Sequence, residues 1–272
     1  MDEQLFRVFG SMLSVGAIAS FRYARRVAIL PVGVMAQAVG VASFPTMSHL
    51  FVKEKFDELK ELIRQQIAIL YFLNLAIVLI LITNNAEIIS LVYERGEFNN
   101  NDVLRVSSIM SIVAFGILPW SLNQIVTRAF YVQTNYWYPV LVGTSSTILA
   151  TLIILNIESK SEISYAIIII ASLFLYSLIL LTTLKIDGEK ILNKDLINDL
   201  IFSSIIYFVT LGLLQFLPIG DLCKILYILI SVTIIALSFI VSVRVIKMKY
   251  VKINKVRYCL LYTSPSPRDG TS

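Results

Sequence analysis

Three arginines stand out by type and spacing: Arg22, Arg25 and Arg26 interrupt the otherwise uncharged stretch from Ser14 to Met47. On a helix, residues three and four apart lie on neighbouring turns, so one face is expected to carry all three guanidinium groups. Facing lipid near the bilayer centre, each would cost about 2.5 to 3.5 kcal/mol. Three such costs favour a watery cavity or an anionic partner. A guanidinium is permanently charged and grips phosphate oxygens in pairs, which suits a diphosphate headgroup. The same residues fit equally a place at the membrane interface, where long basic side chains snorkel to headgroups.

No other residues assemble an obvious reaction centre. The eighteen acidic residues all fall outside the long uncharged runs, whereas proton relays and cation sites usually use carboxylates within the membrane. Membrane hydrolases and glycosyl transferases need a placed acid, base or metal ligand, and none stands in these runs. The one histidine, His49, would need at least three further dispersed ligands to bind zinc and reads as a residue at a helix end. Cys223 and Cys259 show no disulfide or metal spacing. Nothing in the residues asks for a cofactor, and an enzyme is not expected.

The elements that must position the arginines follow from composition. Of 272 residues 57% are hydrophobic and 15% charged, with a mean hydropathy of +0.79, which excludes an ordinary soluble domain. Seven runs free of Asp, Glu, Lys and Arg reach the roughly 18 residues a membrane span needs: residues 27–52, 65–86, 106–127, 129–157, 163–184, 200–220 and 225–243. The expected fold is all-α, a polytopic membrane bundle of seven full transmembrane helices. Val8 to Phe21 adds only fourteen mostly apolar residues, half a helix, which suggests that the chain starts inside a longer membrane protein.

Lys and Arg in short connections stay cytoplasmic. Taking every second connection, fourteen basic residues fall on one side and four on the other, which places residues 53–64 and the C-terminus in the cytoplasm. The net charge of +5 is thus explained by topology, and no nucleic-acid partner is expected, because the basic residues flank spans instead of forming a basic face.

Shorter segments have local readings. Pro31 removes a backbone donor and is expected to break and kink the helix; Gly33, Ala36, Ala38, Gly40, Ala42 and Ser43 then permit close helix contact. Glu54 to Gln66, apolar on one side at Phe56, Leu59, Leu62 and Ile63, suits a helix lying on the cytoplasmic surface. Leu91 to Phe98 (LVYERGEF) reads as a helix ending at Gly96, with a fresh helix capped by the following Asn or Asp. Arg128 to Pro139 (RAFYVQTNYWYP) pairs a cytoplasmic arginine with an aromatic belt. Residues 258–272 abandon the Ile, Leu, Lys and Asn bias for Ser, Pro and Thr. That tail looks non-native, resembling adapter sequence at the end of an environmental read.

Four segments in order, Ser20 to Gly33 (SFRYARRVAILPVG), Phe44 to Ser48 (FPTMS), Leu91 to Phe98 and Ala129 to Pro139, resemble motifs of the MurJ/MviN lipid II flippase family, of the MATE-like exporter superfamily. The resemblance covers roughly residues 2 to 250. It implies fourteen helices with both termini cytoplasmic, of which this chain would hold the end of helix seven (1–21), helices eight to eleven (22–157) and helices twelve to fourteen (158–257). It also implies that Arg26 lines the central cavity and binds the lipid II diphosphate, and that residues 199–246 form a groove for the polyprenyl tail; Arg22 and Arg25, from their own place on the helix, are expected to help hold the diphosphate. Arg25 departs from the aspartate frequent there, and Asn135-Tyr136 from the usual Asp-Thr.

The expected function is therefore a fragment of a flippase that moves a polyprenyl-diphosphate-linked sugar across the bacterial inner membrane by alternating access between two lobes. Its partners would be lipid II or a related lipid, membrane lipids and the missing N-terminal lobe. A polysaccharide-repeat or multidrug exporter of the same superfamily, a membrane transferase on the same carrier, and an inactive truncated product are the alternatives. Basic cavity charge favours an anionic lipid over a cationic drug.

Overall fold

The computed structural model describes residues 15–158 and 161–214 and, singly, Leu5, Leu13 and Thr233. Over these the chain is helical apart from one hairpin. In order come α1 (Ala17–Pro31), a π-helical turn (Val32–Ala36), α2 (Gln37–Val52), α3 (Phe56–Thr83) and the short α4 (Asn85–Tyr93). Then follow α5 (Asn100–Val113), a 3-10 turn (Ala114–Gly116), α6 (Ile117–Val132), α7 (Trp137–Asn156) and α8 (Glu162–Thr183). The antiparallel strands β1 (Lys185–Ile186) and β2 (Glu189–Lys190) lead into α9 (Lys194–Leu214).

Five helical stretches are long and apolar enough to cross a membrane: Ala17–Val52, Phe56–Thr83, Asn100–Val132, Trp137–Asn156 and Glu162–Thr183. The fold is thus a helical membrane bundle with one short β-hairpin. The expected seven full spans do not all fall within the described residues: α9 covers residues 200–214 of the sixth run, while the run 225–243 apart from Thr233, the half-helix before residue 15 apart from Leu13, and the tail 258–272 lie outside them.

Packing follows the apolar faces. α1 lies on α5, α2 and α3 on α6, α5 and α6 on α8, α7 on α8, and α9 on α3. Phe21, Met47, Ile63, Ile67, Ile109 and Met110 form the dry centre, each at most 1% exposed. α7 instead shows Leu141, Ile148, Leu152 and Leu155 outward. In a helix whose backbone bonds are satisfied internally, such a face is suited to hydrocarbon.

Several local expectations are corrected. Pro31 does not break the helix, because the chain passes into a π turn in which the Gln37 amide bonds back to the Val32 carbonyl; a π turn inserts one residue and rotates the faces beyond it. α1 itself begins at Ala17, after Gly16 with φ +89°. Residues 54–66 do not form a separate surface helix: Glu54 and Lys55 turn the chain and residues 56–66 open the continuous, 28-residue α3, with Leu59 and Ile63 buried in the core. Arg128 and Arg105, both counted above among the basic residues of the connections between uncharged runs, stand within α6 and α5. The reading of LVYERGEF is met in part: α4 stops at Tyr93, three residues before Gly96 with its φ of +61°, and Asn99 caps α5 in a box with Asp102.

Charges tie both ends of the bundle. At one end Lys60 Nζ of α3, 4% exposed as a residue, reaches Glu189 Oε2 of the hairpin at 2.5 Å and Asp57 Oδ1 at 2.8 Å. Arg64 donates to the carbonyls of Ile191 (2.9 Å) and Lys190 (3.2 Å). At the other end Arg105 of α5 pairs with Glu162 of α8 and donates to the Val15 carbonyl at 2.8 Å. A Cβ at Gly16 would sit 2.9 Å from Arg105 Nη1, so glycine serves there both for its φ and for the close approach. These contacts put residues 53–64 with the hairpin at one end and residues 95–105 with the start of α8 at the other, the alternation that the count of basic residues implies.

Candidate functional site

The buried face of α1 is Ala17, Ser20, Phe21, Ala24, Val27 and Ala28, a three-four spacing that makes one stripe against α5. Arg22, Arg26 and Leu30, four residues apart, form the exposed row on the other side. Arg25 is turned about 100° from Arg26 by the helical pitch and is half-buried. The three arginines therefore do not share a face. The structure keeps Arg22 and Arg26 together and sends Arg25 into the bundle.

Arg26 makes no hydrogen bond or ion pair among the described residues. It stands near Tyr93 of α4: burial raises the Tyr93 phenol above its ordinary range, while the Arg26 charge pulls it down. Tyr93 stacks at 4.8 Å on Tyr23 of α1, and Phe98 meets Tyr23 edge-on at 5.5 Å. This contact gives LVYERGEF a job that its local pattern did not reveal. Its two aromatic residues clasp α1 at Tyr23, next to Arg22 and three residues before Arg26.

Arg25 lies with its guanidinium carbon 5.5 Å from the centroid of the Trp120 ring of α6, within cation–π range. Both residues line a cavity of about 320 Å³ between α1, α6, α7 and α8, together with Asn123, Ser146, Thr147 and Tyr176. No described lining residue is a carboxylate. Asn123 Oδ1 is buried and has no hydrogen-bond partner among the described residues.

Arg128 was expected at a loop and is instead half-buried in the last part of α6. Its Nη1 donates to the Gln124 carbonyl and, at 2.9 Å, to Gln124 Oε1. A Cβ on Gly40 of α2 would fall 2.5 Å from that nitrogen. Only the small residue at 40 lets the guanidinium pass, a dependence between two distant positions that no local reading exposes. His49 is exposed in the last turn of α2, and no group of three His, Cys, Asp or Glu side chains among the described residues forms a metal site.

A second, apolar hollow of about 410 Å³ runs between α3 and α9, lined by Tyr71, Ile201, Ser204, Ile205, Phe208 and Val209. Tyr71 and Ser204 share a hydrogen bond of 2.7 Å across it. The groove expected over residues 199–246 is described here only as far as residue 214.

The comparisons converge. A chain with 18% identity, described as lipid II flippase MurJ in an inward closed conformation, superposes with a TM-score of 0.73 over 92% of this chain and 52% of its own length, a likeness of fold. A probable lipid II flippase MurJ of Treponema pallidum (strain Nichols) is 24% identical over 59% of this chain and 31% of the relative; one of Rhizobium tropici is 31% identical over 46% and 24%. The chain thus spans about a third or less of the aligned curated relatives. The family model described as lipid II flippase MurJ matches residues 3–237, most of the sequence, and on that ground this chain belongs to the MurJ lipid II flippase family.

Proposed function

We propose that this chain supplies one lobe of a flippase for a polyprenyl-diphosphate-linked sugar such as lipid II, with Arg26 as the principal contact to the diphosphate and Arg22 one turn away as its helper. The observation that carries this reading is Arg26 itself, exposed on a membrane helix without a counter-charge among the described residues. A lone guanidinium in that setting is costly until an anion meets it, and paired phosphate oxygens are its natural complement. Arg25, expected beside them, acts within the lobe as part of the Trp120 cavity. The hollow between α3 and α9 takes the apolar tail. The further partners are membrane lipids and an N-terminal lobe that completes the cavity for alternating access. The bacterial inner membrane is the location, with the hairpin end and the C-terminus cytoplasmic, on the side rich in Lys and Arg.

An exporter of cationic drugs draws no support, since the carboxylates of the described membrane segments cluster near helix starts, at Asp57, Glu58, Glu61, Asp102 and Glu162. The test is binding of undecaprenyl diphosphate to the chain in lipid nanodiscs, followed by titration calorimetry. Losing one charge-assisted contact of about 1.5 to 3 kcal/mol weakens binding by roughly 10- to 100-fold in Arg26→Ala, with partial recovery in Arg26→Lys. Equal affinity in Arg26→Ala and the parent refutes the assignment.

A further inference from the structure

The hairpin between α8 and α9 is held from two directions. Leu184, Ile186, Ile191 and Leu196 are each at most 1% exposed, so the connection docks into the core. Lys60 and Arg64 of α3 then tie its rim, Lys60 to the Glu189 carboxylate and Arg64 to the carbonyls of Lys190 and Ile191. Lys60 is an expensive residue at this place. Its side chain is only 5% exposed and its ammonium sits between the exposed carboxylates of Glu189 and Asp57; a lysine so covered by its neighbours is held by close partners. A connection of this length needs no buried lysine merely to turn the chain. What the tie fixes lies next in sequence, because α9 starts at Lys194 and packs along the same helix, α3, that supplies both basic residues.

We propose that Lys60, Arg64 and Glu189 form a latch that sets how α9 seats on α3, and thereby the width of the apolar hollow between them; these are positioning residues for the hollow's occupant. That the occupant is a polyprenyl tail rests on the function proposed above, but the seating of α9 does not. The latch acts in the empty chain. Two chain-internal contacts, the latch at the hairpin and the Tyr71–Ser204 hydrogen bond farther along, then hold α9 at two points on one helix.

The test uses spin labels at Ile69 of α3 and Ile205 of α9, both 56% exposed, in the chain reconstituted in nanodiscs without ligand. Glu189→Lys sets a like charge beside Lys60 and is expected to shift and broaden the interspin distance distribution. Lys60→Glu, which gathers three carboxylates, does the same. The exchange Lys60→Glu with Glu189→Lys restores the parental distribution. Distributions unchanged in both single variants, or a double variant that stays as broad as the singles, overturn the latch. Hydrogen exchange at Ile191, whose amide bonds to the Leu184 carbonyl, reads the hairpin alone. If exchange there quickens while the α3–α9 distance holds, the tie is local and the proposal fails. A tail reading adds a second split. In Glu189→Lys the affinity for a long polyprenyl diphosphate falls roughly tenfold, equivalent to about two methylenes leaving the hollow, while that for a short prenyl diphosphate stays. If the parent binds neither, the function proposed above fails and the distance measurement still decides the latch.

Discussion

Arg25 and Arg26 are neighbours in sequence with identical side chains, yet one lies over an indole inside the lobe and the other stands exposed without a protein counter-charge among the described residues. The difference is one step of helical phase. α1 buries Ala24, Val27 and Ala28 against its neighbours, which fixes its rotation and leaves no freedom in where positions 25 and 26 point. A guanidinium inside the lobe can earn its place through the ring quadrupole and its own apolar stem. Arg26, with no hydrogen bond or ion pair among the described residues, is the better candidate for a ligand. Neighbouring charges on a helix should therefore be sorted by which face is already spoken for before they are read as a cluster.

The comparison is broken most severely by moving the charge. Arg26→Ala removes the contact proposed for the diphosphate, while Arg26→Ala with Leu30→Arg returns a guanidinium to the same exposed row one turn along. The single variant is expected to lose the 10- to 100-fold already described, and the double to regain part of it, by the same titration. Full recovery would mean that any charge on the row suffices; none would mean that the depth of Arg26, about nine residues or roughly 13 Å from the start of α1, is what matters.

Gly40 sharpens the same contrast at a third arginine. Gly40→Ala puts a methyl group 2.5 Å from Arg128 Nη1 and 3.3 Å from the Gln124 carbonyl. The side chain can yield but the backbone oxygen yields less, so a cost of about 1 to 3 kcal/mol is expected, measured as lost resistance to thermal unfolding in detergent. Trimming Arg128 to Ala in the same protein should recover much of it. Arg25→Met keeps much of the stem and forfeits the cation–π contact with Trp120, for a cost of about 0.5 to 2 kcal/mol. The Trp120 emission shifts, and diphosphate affinity moves less than threefold, on the order of 0.6 kcal/mol. An affinity loss matching that of Arg26→Ala would erase the distinction between the two faces.

Much of the bundle is legible in uncharged runs because a bilayer imposes length and apolarity on every span. What local pattern misjudged shares one cause, that partners distant in sequence decide a residue's role. Lys60 and Arg64 made residues 54–66 look like a surface helix, whereas the hairpin more than a hundred residues away gives them carboxylate and carbonyl partners inside a continuous α3. Arg128 read as a loop residue because nothing nearby predicted that Gly40 would make room for it. Pro31 read as a break because proline lacks an amide, but a π turn supplies another route for the backbone bonds that follow. The arginine row was legible in residue type and spacing; its division between Arg25 and Arg26 depended on which side of α1 meets α5.

The smallest effect separates the two faces from outside both. Asn99 accepts from the amides of Asn101 and Asp102, and Asp102 accepts from the Asn99 amide. Asn99→Ala removes the side-chain half of this box and is expected to cost about 1 kcal/mol, seen as a small fall in melting temperature. Phe98, its immediate neighbour, is the residue that meets Tyr23 beside the Arg22 and Arg26 row, whereas Trp120 lies on the Arg25 side of α1. Fraying at the start of α5 should thus quicken hydrogen exchange around residues 93–99 and loosen diphosphate binding slightly, while the Trp120 emission stays put. If the emission moves as far as it does in Arg25→Met, the two faces are coupled through α1 and the helix does not insulate them.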